Sequence, residues 1–184
     1  ATVKSAKSCL DIGTGTGLLA LMVAQRNSDA TVVAIELDDE AVIQAKENVE
    51  ASPWPNRIEV VHSDVRSYCS DKTFDLIISN PPYFVDSLLS PDEKRATARH
   101  ATSLSFSDLF DGVERLLAQD GTFALILPPA EAERFLSVAR GRLFLKRRCD
   151  VWSTPESGIK RVMMELQKQP PEELPTIEKL IIED

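Results

Sequence analysis

The clearest chemical signal is a run of four residues, Asn80-Pro81-Pro82-Tyr83. Two successive prolines hold the backbone extended, and their missing N–H groups remove competing donors while leaving carbonyls as acceptors. Asn80 adds a neutral side-chain acceptor and Tyr83 a flat apolar face. This set suits an exocyclic amine on a flat ring. The Asn80 side-chain oxygen and the Pro81 carbonyl can take the two amine hydrogens, and Tyr83 can stack on the base. Such chemistry is alignment and electrostatics, with no metal and no covalent intermediate. On these four residues alone, a rigid loop after a buried strand stays open as the alternative.

A second cluster precedes it. Asp11-Ile12-Gly13-Thr14-Gly15-Thr16-Gly17 joins a short apolar run to a Leu/Ala-rich segment of helical spacing. The glycines permit a tight turn and a close ligand approach, and the helix behind offers unpaired N–H groups. Nicotinamide and flavin sites use GxGxxG with a pyrophosphate on the helix end. Here the spacing is GxGxG after an acid, Asp11. An acid there repels a pyrophosphate and suits S-adenosylmethionine (SAM), which carries an ammonium and a sulfonium. Glu36 and Leu37 end the next apolar run, where a carboxylate can take both hydroxyls of a ribose. Asp64, followed by Val65, ends the run after that, where a carboxylate can accept an adenine amino group. Each acid alone reads equally well as a solvated strand end. Three at successive strand ends match where ligands bind in open α/β sheets.

The elements that must carry these residues alternate. Strands are expected at Ser8–Ile12, Thr31–Leu37, Arg57–His62, Thr73–Ser79 and Gly121–Leu127. Helices are expected at Leu18–Arg26, from N-cap Asp38 to about Val49, at Leu104–Ala118 with Ser107 or Asp108 as N-cap, and at about Ala130–Arg140. Leu143–Trp152 and Lys160–Gln167 are separated by a stretch too short for a crossover helix, so they should pair antiparallel. Five β-α repeats and then a hairpin predict a doubly wound α/β domain. Its sheet would be mostly parallel and seven-stranded, with an antiparallel edge hairpin, in the Rossmann-like manner. Thr176–Ile182 is a candidate extra strand.

The 184 residues fit one domain, with 43% hydrophobic and 27% charged residues. No apolar run nears the roughly 20 residues of a membrane helix, and the first residues have no signal-peptide core. Cys9, Cys69 and Cys149, without CxxC, read as reduced thiols of a cytoplasmic protein with no metal. A net charge of -8 argues against a polyanionic partner. Two stretches without acids oppose it. One carries Lys94, Arg95, Arg99 and His100, the other Arg134, Arg140, Arg142, Lys146, Arg147 and Arg148. Solvated charged stretches are the alternative to a basic face. His62, Trp54, Trp152, Met163 and Met164 read as packing residues.

At this point the chain resembles a known family. SCLDIGTGTGLLALMVAQR, ENVEASPWPNRIEV, ISNPPYFVDSLLSPDEKRATARHATSLSFSDLF and FALILPP are similar to the bacterial tRNA(Val) adenine-N6 methyltransferase family, over residues 8 to 168. The resemblance implies a class I methyltransferase fold and methylation of the adenine 3′ of the anticodon, with S-adenosylhomocysteine as coproduct. It implies Asp11, Gly13, Thr14, Gly15 and Gly17 at the methionine end of the cofactor, Glu36 and Leu37 at the ribose, and Asp64 and Val65 at the adenine. Asn80 to Tyr83 would hold the target base, with Asn80 also beside the cofactor. The partner would be tRNA, met by Tyr83, Arg95, Arg99 and His100, and the enzyme a cytoplasmic monomer. The family carries a segment before its first strand and more chain after the tail, so the expectation is a single domain trimmed at both ends. Protein-glutamine and DNA-adenine methyltransferases share the NPPY run and remain the nearest alternatives. A non-catalytic RNA-binding module and a nicotinamide oxidoreductase are the others.

Overall fold

The computed structural model describes residues 2–81 and 104–183. Strand β1 (Ser8–Ile12) leads through the glycine turn into helix α1 (Leu18–Arg26). Strand β2 (Thr31–Glu36) leads into α2 (Asp39–Glu50). The Asp38 side chain caps α2 by accepting from the Ala41 N–H, with Asp39 and Glu40 in the favourable first turn. A 3₁₀ turn at Pro55–Arg57 precedes β3 (Ile58–His62), and β4 (Phe74–Ser79) follows. No helix joins β3 to β4. A turn at residues 64–68 makes that connection, so helices follow four of the first five strands among the described residues, not all five.

Helix α3 (Phe106–Leu116) starts earlier than Ser107 or Asp108 would place it. Ser105 is the N-cap, in a reciprocal capping box with Asp108. It also stops earlier, because β5 (Leu117–Leu127) begins at once. Leu117 pairs with Phe74, and an irregularity follows before Leu76 pairs with Thr122. Helix α4 (Pro129–Val138) and strands β6 (Phe144–Trp152), β7 (Ile159–Gln167) and β8 (Thr176–Ile181) complete the order.

The sheet order is β3-β2-β1-β4-β5-β7-β6-β8. Only β7 runs against the rest, antiparallel to both β5 and β6. The expected hairpin is present, but β8 adds in parallel outside β6, making eight strands and moving the edge outward. Strand order reverses at β1, which has β2 on one side and β4 on the other. The crevice beyond the carboxyl ends of β1 and β4 is therefore the switch-point position where such sheets bind ligands.

Alternation along the strands builds two cores. Leu10, Ile12, Ile77 and Phe123 meet Leu109, Val113 and Leu116 of α3 and Phe135 of α4. Cys9, Val32, Ala34, Leu76 and Ile78 meet Ala20, Val23 and Ala24 of α1 and Val49 of α2. The three cysteines are free, and burial with the Asp75 charge pushes the Cys9 thiol up to about 12. Trp54 packs on the second core, and Lys179 Nζ sits 4.2 Å over the Trp152 ring. No helix among the described residues is long and apolar enough to cross a membrane.

Candidate active site

The glycine turn hangs on the two strands it joins. The Gly13 and Thr14 N–H groups both donate to the Ile35 carbonyl, at 3.0 and 3.1 Å. Gly13, Gly15 and Gly17 have φ of 69, 57 and 85°, which L side chains rarely adopt. A Cβ at Gly13 or Gly15 would meet nothing within 4 Å, so the turn faces open space there. At Gly17 it would come 3.5 Å from the Ala45 Cβ, because the start of α1 packs on α2. Asn48 of α2 adds a bond to the Thr16 carbonyl at 2.9 Å.

Asp11 lies behind this turn and is fully buried. Its Oδ2 accepts from the Thr14 hydroxyl at 2.6 Å, while Oδ1 has no hydrogen-bond partner. Burial pushes its carboxyl up to about 7, against the Thr14 hydroxyl and the Ala20 N–H, with the Glu36 charge adding to the rise. The Thr14 side chain is itself buried against Asp11.

Glu36 fastens the turn from the end of β2. Oε2 accepts from the Gly15 N–H at 2.8 Å, and Oε1 from the N–H groups of Leu37 and Asp38 at 2.8 and 3.1 Å. A carboxylate has about four acceptor positions, so roughly one remains, on Oε2. Leu37 is 43% exposed beside it, an apolar surface at a strand end. His62 Nε2 donates to the Leu37 carbonyl at 2.9 Å and Nδ1 lies 3.3 Å from Asp39, a tether that supports Leu37.

Asp64 follows β3 and is more occupied than a bare acceptor. Oδ1 accepts from the Arg66 N–H at 2.8 Å and Oδ2 from Arg66 Nε at 2.8 Å, with Nη2 closer still. The Arg66 side chain holds the Asp64 carboxyl below its ordinary range despite partial burial. One position stays on Oδ1. Val65 turns its side chain into the core, so it can meet a ligand only through its main chain.

Strand β4 brings the remaining residues alongside. Ser79 pairs with Ile12 across the sheet, and its hydroxyl donates to the Ile12 carbonyl at 2.8 Å. Asn80 is exposed at the strand end and Pro81 is buried. The NPPY run therefore begins one strand over from the glycine turn. Pro82, Tyr83, Arg95, Arg99 and His100 lie outside the described residues.

Comparison with known proteins follows the same lines. The family profile of the methyltransferase small domain matches residues 2–127. A tRNA1(Val) (adenine(37)-N6)-methyltransferase from Bacteroides thetaiotaomicron is 49% identical over 166 residues, covering 89% of this chain and 70% of that protein. One from Pseudoalteromonas translucida is 45% identical over 165 residues, covering 89% and 71%. This chain belongs to that family. Among solved structures, a predicted O-methyltransferase from Agrobacterium tumefaciens superposes with a TM-score of 0.74 at 20% identity, covering 95% of this chain and 79% of that one. A TehB-like SAM-dependent methyltransferase from Corynebacterium glutamicum gives 0.60 at 20%, covering 90% and 82%. Those two likenesses speak for the fold alone.

The cofactor of this methyltransferase is SAM, and the residues present fit it. The orphaned Asp11 Oδ1 suits a cation behind the turn, the open space at Gly13 and Gly15 admits a ligand, and Glu36 keeps one acceptor position. Sequence reasoning missed Arg66, although Asp-x-Arg spacing carried the signal, and it missed Ser79 as the stitch to β1. In the second basic stretch, several arginines have acidic partners. Arg142 pairs with Glu114, Arg147 with Glu178 and Glu165, and Arg148 with Asp150 and Glu133. Apart from Asp150, these acids lie far away in sequence, and the fold brings them to Arg142, Arg147 and Arg148.

Proposed function

We propose that this methyltransferase transfers a methyl group to N6 of adenine 37 in tRNA1(Val), acting as a cytoplasmic monomer. The observation that carries the reading is the register of β4 on β1, which sets Asn80 and Pro81 beside the glycine turn. The names of relatives at 43–49% identity support the substrate. Bound SAM supplies an electrophilic methyl group on a sulfonium. Glu36 holds the ribose, Asp64 the adenine and the main chain at Val65 its ring edge, while Asp11 answers the ammonium. The Asn80 side-chain oxygen and the Pro81 carbonyl accept the two hydrogens of the target amine and so direct its lone pair. The amine would gain positive charge as its bond to the methyl carbon forms and that carbon's bond to sulfur breaks, leaving S-adenosylhomocysteine, and these two acceptors would strengthen with it before one proton leaves to water. Pro82 offers no competing donor and Tyr83 stacks on the base. Arg95, Arg99 and His100 hold the phosphates of the anticodon stem-loop.

Methyl transfer from labelled SAM to unmodified tRNA, followed by nucleoside analysis, tests this. The expected product is N6-methyladenosine at position 37 of tRNA1(Val). Label appearing only in DNA or in protein glutamine overturns the substrate and favours the other NPPY chemistries.

A further inference from the structure

The turn at residues 64–68 is held from one side by a single helix. Within the turn, the Asp64 carbonyl accepts from the Ser67 and Tyr68 N–H groups at 3.0 and 2.8 Å. The carbonyls of Val65 and Tyr68 go elsewhere, both to Arg115 of α3. Arg115 Nη2 donates to the Val65 carbonyl at 2.8 Å and Nη1 to the Tyr68 carbonyl at 2.5 Å. A guanidinium is a rigid planar fork, so two carbonyls bound to it are fixed relative to each other and to the helix.

Gly112 lies three residues before Arg115, on the same face of α3. A Cβ there would stand 2.5 Å from Val65 Cγ2, a distance real side chains do not reach. The helix backbone therefore rests directly on Val65, which is buried. A glycine inside a helix costs about 0.5–1 kcal/mol relative to alanine, and close contact with the turn accounts for its presence. Asp64 sits one residue before this clamped position. With Arg66 filling most of its carboxylate, the direction of the last Oδ1 position follows the placement of the turn.

We propose that Arg115 and Gly112 are positioning residues for the cofactor, aiming Asp64 at the adenine amino group through their hold on the Val65–Tyr68 turn. The proposal rests on the reading of Asp64 as the adenine acceptor.

The test compares binding of S-adenosylhomocysteine with that of S-inosylhomocysteine, whose 6-oxo group cannot donate. Titration calorimetry is run on wild type, Asp64→Ala, Arg115→Gln, Arg115→Lys and Gly112→Ala. Wild type should prefer the adenine ligand by roughly 10–100-fold, the scale of a buried polar mismatch. Asp64→Ala should bring that ratio close to one. Arg115→Gln and Gly112→Ala should each reduce it several-fold, with Arg115→Lys recovering part, and the KM for SAM should rise more than kcat falls. A merely structural role would lower stability and leave the ratio alone. Loss of the preference in Asp64→Ala with the wild-type ratio in Arg115→Gln and Gly112→Ala overturns the positioning role and leaves the Asp64 reading standing. Wild type that does not discriminate, or Asp64→Ala that still does, overturns the Asp64 reading and the positioning role with it. If Arg115→Gln fails to fold, Gly112→Ala decides by the same ratio.

Discussion

Replacing Glu36 with alanine should separate two jobs that one carboxylate performs. Its Oε1 holds the N–H groups of Leu37 and Asp38, and its Oε2 holds that of Gly15. About one acceptor position is left, so a ribose gains a single unshared charge-assisted bond. Loss of such a bond costs about 1.5–3 kcal/mol, or roughly 10–150-fold in affinity. The Leu37 and Asp38 bonds are exposed, and water can replace them, whereas the Gly15 bond is partly buried. Its loss should cost about 1–2 kcal/mol of stability, and each kcal/mol lowers Tm by roughly 2–4 °C in a domain of this size. Calorimetric titration with S-adenosylhomocysteine, paired with a thermal melt, reads both. A 2′,3′-dideoxyribose analogue serves as control, since it should bind wild type and Glu36→Ala with nearly equal affinity. If Glu36→Ala melts early but binds S-adenosylhomocysteine as wild type does, Glu36 fastens the turn and does not touch the ribose.

Three further outcomes are expected. Asn80→Ala should cut kcat far more than RNA affinity, because its acceptor matters most as the amine becomes charged; near-normal turnover would sink the proposed role. Arg95→Ala/Arg99→Ala should weaken tRNA binding and flatten its salt dependence by about one unit of log–log slope per lost phosphate contact, and an unchanged slope would remove these residues from the RNA surface. Asp11 has a carboxyl raised above its unfolded value, so the folded protein binds the extra proton between about pH 4 and pH 7. The contribution of Asp11 to stability is therefore greatest below about pH 4, is lost as pH rises to about 7, and is flat above. Chemical denaturation across that range should show the Asp11 slope vanish in Asp11→Asn, and an unaltered profile would contradict it.

Much of the frame was legible because local chemistry and tertiary packing agree. Helix α1 starts where Gly17, at positive φ, ends the turn, and α2 starts at Asp38, whose side chain accepts from the Ala41 N–H. The start of α3 was legible only in the capping-box spacing of Ser105 and Asp108, which an N-cap at Ser107 or Asp108 overlooks. Its end was not. Leu117-Ala118-Gln119 favours helix locally, yet Leu117 is buried in pairing with Phe74. Gly121 explains the irregularity that follows, for a Cβ there would stand 2.9 Å from the Phe74 carbonyl. The acids of the site were visible as types at strand ends, but their partners were not. Nothing near Asp64 announces that Arg115, far along the chain, fixes its turn. Likewise the arginines of β6 looked unopposed until the sheet and α4 brought Glu165, Glu178 and Glu133 to them.

The bond from Ser79 to Ile12 has a consequence for how such an enzyme can change its clientele. It ties the end of β4 to the strand that carries the glycine turn, and α3 is tied to the turn after β3 at Val65 and Tyr68. The sequence from 82 to 103 is thus an insert between two moorings that belong to the methyl-donor side. Sequence beyond Tyr83 can therefore change in length or charge while Gly13–Gly17 and Asp64 keep the bonds that hold them.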